Sequence, residues 1–179
     1  VLWHTFVASG GTEINLFGNS TRESVGSGVA VDADSVYYGT NHGAFTALDR
    51  RTGRLRWVHR YEQLKVDPTR SVQIRRNPLE WCNSAPVVSH GQVFCAPTDS
   101  RTLYAFDARN GRKRWQRTRG DPLRQLVGVS GELLVVSGEK LEWYDVSKGG
   151  KLTGTYEPEE GTGAGRAAIA LDAVYFPTT

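Results

Sequence analysis

Short runs of strand-favouring residues, apolar throughout or alternating apolar with polar, fill most of the chain and stop at turn residues. No stretch keeps a helical period long enough to compete. One set of four runs, 85–89, 92–96, 102–107 and 113–117, predicts four strands. His90-Gly91 is the first hairpin turn and 107–111 the third, with Gly supplying a backbone of positive φ. Ala33-Asp34, Ser130-Gly131 and Leu171-Asp172 hold the place of His90-Gly91 in other copies, although Leu171-Asp172 is a poor hairpin turn by composition.

The unit repeats. Ala47, Asp49, Gly53 and Trp57 recur at identical spacing as Ala105, Asp107, Gly111 and Trp115, each set preceded by a strand, Val36-Tyr37-Tyr38 and Val93-Phe94-Cys95. A third, eroded copy runs through Leu133-Leu134-Val135-Val136 and Trp143-Tyr144-Asp145, and a fourth begins at Ala173-Val174-Tyr175. Trp3 matches Trp57, so the chain opens on the last strand of a blade. Repeated four-stranded units predict an all-β fold, a β-propeller of antiparallel blades. The expected division is 1–24, a last strand and connector; 25–61, a blade; 62–81, an insertion; 82–119, a blade; 120–157, a degenerate blade; and 158–179, first strands of the next. Three full units plus partial ones are expected to be an incomplete propeller, a piece of a longer chain.

The pattern Ala-x-Asp-x-x-x-Gly-x-x-x-Trp, behind a Val-Tyr-x-Gly-Thr-type strand, resembles the tryptophan-docking repeat of pyrroloquinoline-quinone-type β-propellers, over nearly the whole chain. The resemblance implies that Trp57 and Trp115, with Trp3 in the equivalent place, clamp blade to blade, and that the Gly lets the indole approach the backbone. The third copy departs. Eight residues beyond Asp145 stands Thr153, while Trp143 holds the position of Ala47 and Ala105; the expectation is that Trp143 fills the space left at Thr153. The chain is similar to bacterial propeller proteins of planctomycete type and, more distantly, to the propeller lipoprotein of the outer-membrane β-barrel assembly machinery. Both imply an extracytoplasmic home.

Quinoprotein dehydrogenases share the repeat and supply an enzyme alternative, with pyrroloquinoline quinone held on calcium. Alcohol-oxidising members carry adjacent cysteines, which this chain lacks; Asp49, Asp107 and Asp145 are accounted for as turn residues. No catalytic, cofactor-binding or metal-ligating residue is therefore expected. Cys82 and Cys95 are expected as free thiols, because the register through His90-Gly91 sets Pro86 opposite Cys95. His4, His42, His59 and His90 show no metal-ligand spacing. The loop 161–166 is glycine-rich but lacks the following helix that a phosphate cradle needs, so it is expected as a connector.

The net charge of +3 conceals a polarised chain. From Arg101 to Arg124 there are eight basic and two acidic residues, whereas Glu132 to Glu160 holds seven acidic and three basic. The run Arg112-Lys113-Arg114 lies on an outer strand facing water, and Trp115 is committed to the repeat, so nucleic acid is not an expected partner. No apolar run reaches the length of a membrane span. Strand direction alternates, so the long connections share one face, and it gathers Asn41, His42, Arg75, Arg76, Asp99, Arg101 and Lys140 as a candidate surface for a protein or polymer. Asn19-Ser20-Thr21 fits a glycosylation sequon.

Overall fold

The computed structural model describes residues 2–8, 27–40, 42–64, 84–118 and 125–179. Strands β1 (Val29–Val31), β2 (Ser35–Gly39), β3 (Ala44–Asp49) and β4 (Leu55–Arg60) form the first blade. β5 (Val87–Ser89), β6 (Gln92–Cys95), β7 (Thr102–Asp107) and β8 (Lys113–Thr118) form the second. β9 (Gln125–Ser130), β10 (Leu133–Ser137), β11 (Leu141–Asp145) and β12 (Lys151–Tyr156) form the third, and β13 (Ala168–Ala170) with β14 (Ala173–Tyr175) begins a fourth. Each sheet is an antiparallel meander in chain order. β1, β5, β9 and β13 lie side by side as the inner strands, and β4, β8 and β12 are outer edges. The molecule is an incomplete β-propeller.

Burial follows from this stacking, since both faces of a blade meet a neighbour. β6 and β7 are buried along almost their whole length, unlike the alternating outer strands. Tyr37, Phe45, Ala47 and Trp57 of blade one meet Val93, Tyr104 and Phe106 of blade two. Phe94, Leu103, Ala105 and Trp115 meet Leu126, Leu134, Val136 and Tyr144 of blade three. Val135, Leu141 and Trp143 meet Ala167, Ile169, Val174 and Phe176.

The third hairpin of each blade shapes the join. Asp49, Asp107 and Asp145 accept backbone N–H bonds two and three residues on, from Arg51 and Thr52, Arg109 and Asn110, and Ser147 and Lys148. Gly53, Gly111 and Gly150 then sit at φ near +70°, and an indole from the preceding unit lies on each. A Cβ at these glycines would come within 2.5 Å of Trp3, 2.6 Å of Trp57 and 2.6 Å of Trp115 respectively. Trp3 makes this contact although residues 2–8 form no ladder with a described strand.

One expectation is corrected here. The third hairpin of blade three has an extra residue, with Gly149 and Gly150 both at positive φ, so the residue in register with Trp57 and Trp115 is Gly154 rather than Thr153. Ala47 pairs with Trp57 and Ala105 with Trp115, whereas Trp143 pairs with Gly154. The large and small members of the cross-strand pair have changed places. Thr153 occupies the bulge held by Arg56 and Arg114 in the other blades, and its Oγ1 donates to the Trp143 carbonyl at 3.1 Å. Trp143 is half-buried against the fourth unit.

Candidate functional site

On the face carrying the β2–β3, β6–β7 and β10–β11 connections, Asp99 ties the first two blades together. The β6–β7 turn delivers this residue to a position 4% exposed, between the first two blades. Its Oδ1 accepts Tyr61 Oη at 2.7 Å, and its Oδ2 accepts Gln63 Nε2 at 2.9 Å and the Gly43 amide at 3.0 Å. Its carbonyl accepts the Leu64 amide at 2.8 Å. A buried carboxylate is costly unless hydrogen-bonded, and three donors from blade one and the start of the insertion meet that need. Gly43 is required there, because its φ is 75° and a Cβ would stand 3.0 Å from Gln63 Cδ. Burial, reinforced by the Asp99 charge, pushes the Tyr61 hydroxyl and the Cys95 thiol well above their ordinary pKa ranges, so both stay protonated.

Asp99 was expected on the exposed surface and is instead beneath it. Its carboxylate oxygens are taken up by Tyr61, Gln63 and the Gly43 amide, so it fixes the platform. Arg101 is exposed, and His42 is half-buried with its amide donating to Thr40 Oγ1 at 3.1 Å. Lys140 is one blade further on, 3.3 Å from Glu157 Oε1. Asn41, Arg75, Arg76, Cys82 and the sequon at Asn19 lie outside the described residues. Tyr61 and Gln63 escaped the sequence reading because they sit where the blade passes into the insertion, and nothing in their local pattern marks a long-range bond to Asp99.

A second set of groups escaped it too, two residues beyond each indole. Thr5 Oγ1 donates to the Gly53 carbonyl at 2.6 Å, and Arg117 donates to the carbonyls of Gly149 and Gly150. His59 instead lies tilted against the Phe106 ring, centroids 4.5 Å apart, and burial, with Lys113 nearby, lowers its pKa. The three residue types share no chemistry, so no repeat could be read there.

The capping carboxylates are occupied by their own hairpins. Asp107 Oδ2 takes Arg114 at 2.6 Å and Asp145 Oδ2 takes Lys148 Nζ at 2.7 Å, while Arg56 stands 3.7 Å from Asp49. Lys148 thus substitutes for the arginine that Thr153 replaced. The Lys148 bond, the largest cause, holds the Asp145 carboxyl down at about 2, the Arg114 bond lowers Asp107, and the hydrogen bonds from Thr52 lower Asp49. Among the described residues no three His, Cys, Asp or Glu side chains gather where they could hold a metal ion. Three amides of the loop 161–166 are engaged: Thr162 N donates to Thr179 Oγ1, Gly163 N to Glu139 O and Ala164 N to Pro177 O.

Residues 1–173 match the family model described as outer membrane protein assembly factor BamB. The chain belongs to the BamB family. Its fold is similar to that of BamB from Moraxella catarrhalis, at 19% identity and a TM-score of 0.63 over 85% of this chain and 43% of that one. It therefore spans less than half of the Moraxella protein's length. A computationally designed protein, Ika4, is similar at a TM-score of 0.64 and 14% identity, covering 88% of this chain and 87% of that chain. A europium-containing methanol dehydrogenase aligns at 16% identity and a TM-score of 0.53 over 79% of this chain and 25% of its own. No curated protein sequence matches. At these identities the likeness is one of fold. Asp49, Asp107 and Asp145 are each tied to a separate turn. No helix among the described residues is long and apolar enough to cross a membrane.

Proposed function

We propose that the chain is a non-catalytic scaffold, part of an extracytoplasmic BamB-like propeller that presents its long-connection face to a protein or polymer. The observation that carries this reading is the Asp99 network. It joins the β2–β3 loop, the start of the insertion and the β6–β7 loop through one buried carboxylate, which makes the base of that face stiff before any partner arrives. A preorganised surface loses less on binding. Family membership supports a partner connected with outer-membrane protein assembly, and Arg101 and His42 would supply contacts.

The reading is tested by titrating the chain with a purified outer-membrane β-barrel protein and with purified subunits of its assembly machinery. Saturable binding that weakens in Arg101→Glu, and not in Arg109→Glu on the opposite face, is the expected result. Binding lost only in the Arg109 variant, or no binding at all, would reject it. Pyrroloquinoline quinone with calcium should leave the thermal midpoint of the chain unchanged, whereas a saturable upward shift would favour a quinoprotein enzyme.

A further inference from the structure

Each indole that rests on a glycine also has a ring nitrogen to satisfy. Trp3 Nε1 donates to the Arg50 carbonyl and Trp57 Nε1 to the Ala108 carbonyl, both at 3.0 Å, and in each case the acceptor is the residue after the capping aspartate. The corresponding residue for Trp115 is Val146, which packs in the same cluster, yet no group among the described residues accepts from Trp115 Nε1. The longer hairpin of blade three accounts for this. A Cβ at Gly53 or Gly111 would press on Cδ2 and Cε3 of its indole, whereas one at Gly150 would press on Cε3 and Cζ3 of Trp115. The extra turn residue has moved the glycine further onto the six-membered ring, away from the nitrogen.

A second buried atom without a protein partner belongs to the same join. Gln92 stands opposite Asp107 as Ser35 stands opposite Asp49, and its Nε2 reaches the Val146 carbonyl at 3.4 Å. Its Oε1, on the same amide carbon, is thereby held near that carbonyl and has no partner. Gln92 is 6%, Trp115 8% and Val146 3% exposed. A buried donor and a buried acceptor left unpaired carry a desolvation cost that a shared partner removes.

In the first join a hydroxyl holds this position. Tyr37 Oη lies 3.2 Å from the Ala108 carbonyl, the oxygen that Trp57 Nε1 also meets. Phe94 takes the place of Tyr37, each opposite the alanine of its motif, and brings no hydroxyl.

We propose that one ordered water occupies the second join in the place of the Tyr37 hydroxyl, accepting from Trp115 Nε1 and donating to Gln92 Oε1 and to the Val146 carbonyl. Three partners are typical of a buried water. The chemistry of the partners selects it: an indole N–H only donates and the two oxygens only accept, so the occupant must be neutral and do both. Holding the water in place offsets part of what its bonds gain, so Trp115 gains less from it than Trp57 gains from a carbonyl.

High-resolution crystal structures of the wild-type chain and of Phe94→Tyr test this. The wild type should show one solvent peak within hydrogen-bond distance of both Trp115 Nε1 and Gln92 Oε1. In Phe94→Tyr the new hydroxyl should expel it, with the peak lost and the thermal midpoint no lower than that of the wild type. A wild-type structure with no solvent on these two atoms, or with Trp115 Nε1 bonded directly to the Val146 carbonyl, would overturn the inference whether or not the variant folds. So would a Phe94→Tyr chain that keeps the water unchanged.

Discussion

The join between blades one and two and the join between blades two and three follow one plan with different polar chemistry. In the first, the Ala108 carbonyl lies 3.0 Å from Trp57 Nε1 and 3.2 Å from Tyr37 Oη. Burial, with the Asp32 hydrogen bond, pushes that Tyr37 hydroxyl up to about 12, so it remains a donor. In the second, Phe94 replaces Tyr37 and has no hydroxyl, Gln92 Nε2 reaches the Val146 carbonyl at 3.4 Å, and Trp115 Nε1 has no partner among the described residues. The rings differ as well: Tyr37, Phe45, Trp57, Tyr104 and Phe106 form an aromatic cluster in the first, whereas Leu126, Leu134 and Val136 face Phe94 and Trp115 in the second. Both joins nevertheless seat an indole on a glycine. Shape is thus the invariant of the repeat, and hydrogen bonding is adjusted around it.

If shape dominates, Trp57→Ala and Trp115→Ala should cost similar amounts, about 3–5 kcal/mol each in urea unfolding, as for other buried aromatic truncations. A loss under about 1 kcal/mol at either would remove that indole from the account. Gly111→Ala should cost roughly 2–4 kcal/mol, combining a positive φ with a Cβ pressed into Trp57. Gly91→Ala shares the positive φ but has open space, and should cost only about 1–2 kcal/mol. Equal effects at the two glycines would mean that the indole yields.

The polar difference is sharpened by phenylalanine. Trp57→Phe removes a satisfied donor and Trp115→Phe an unsatisfied one, so the first should be the more destabilising by about 1 kcal/mol. A smaller effect is expected in acid. The carboxyls of Asp145, Asp107 and Asp49 are lowered in the folded state, so the unfolded chain binds more protons as pH falls. Their contribution is present above the ordinary carboxylate range, near pH 4, and for Asp145 is lost as pH drops to about 2. Thermal midpoints should fall over that window, and less steeply in Asp145→Asn; identical slopes would sever the link to the hairpin.

Much of this architecture was readable because identical backbone demands produce identical residues. The Asp that caps the turn, the Gly at positive φ and the indole laid on it recur at fixed spacing, and the structure places all three as one unit. The exchange at Trp143 was visible as well, but its partner was misplaced by one position, since the extra glycine of the Gly149-Gly150 turn shifts the count without disturbing the ladder. Asp99 was misread for a different reason. A carboxylate in a long connection looks solvated until the fold brings Tyr61 and Gln63 to it from the preceding blade, and such contacts leave no local period.

The account rests on the third blade having moved its large side chain one strand inward rather than lost it. Gly154→Trp, introduced with and without Trp143→Ala and followed by urea unfolding, tests this most directly, because contacting sites couple and distant ones add. In the presence of Trp143 the new indole should overpack the join and destabilise the chain. In the Trp143→Ala background it should restore the arrangement of Ala105 with Trp115 and stabilise it, reversing the sign. The same free-energy change in both backgrounds would contradict the exchange and leave the third blade merely eroded.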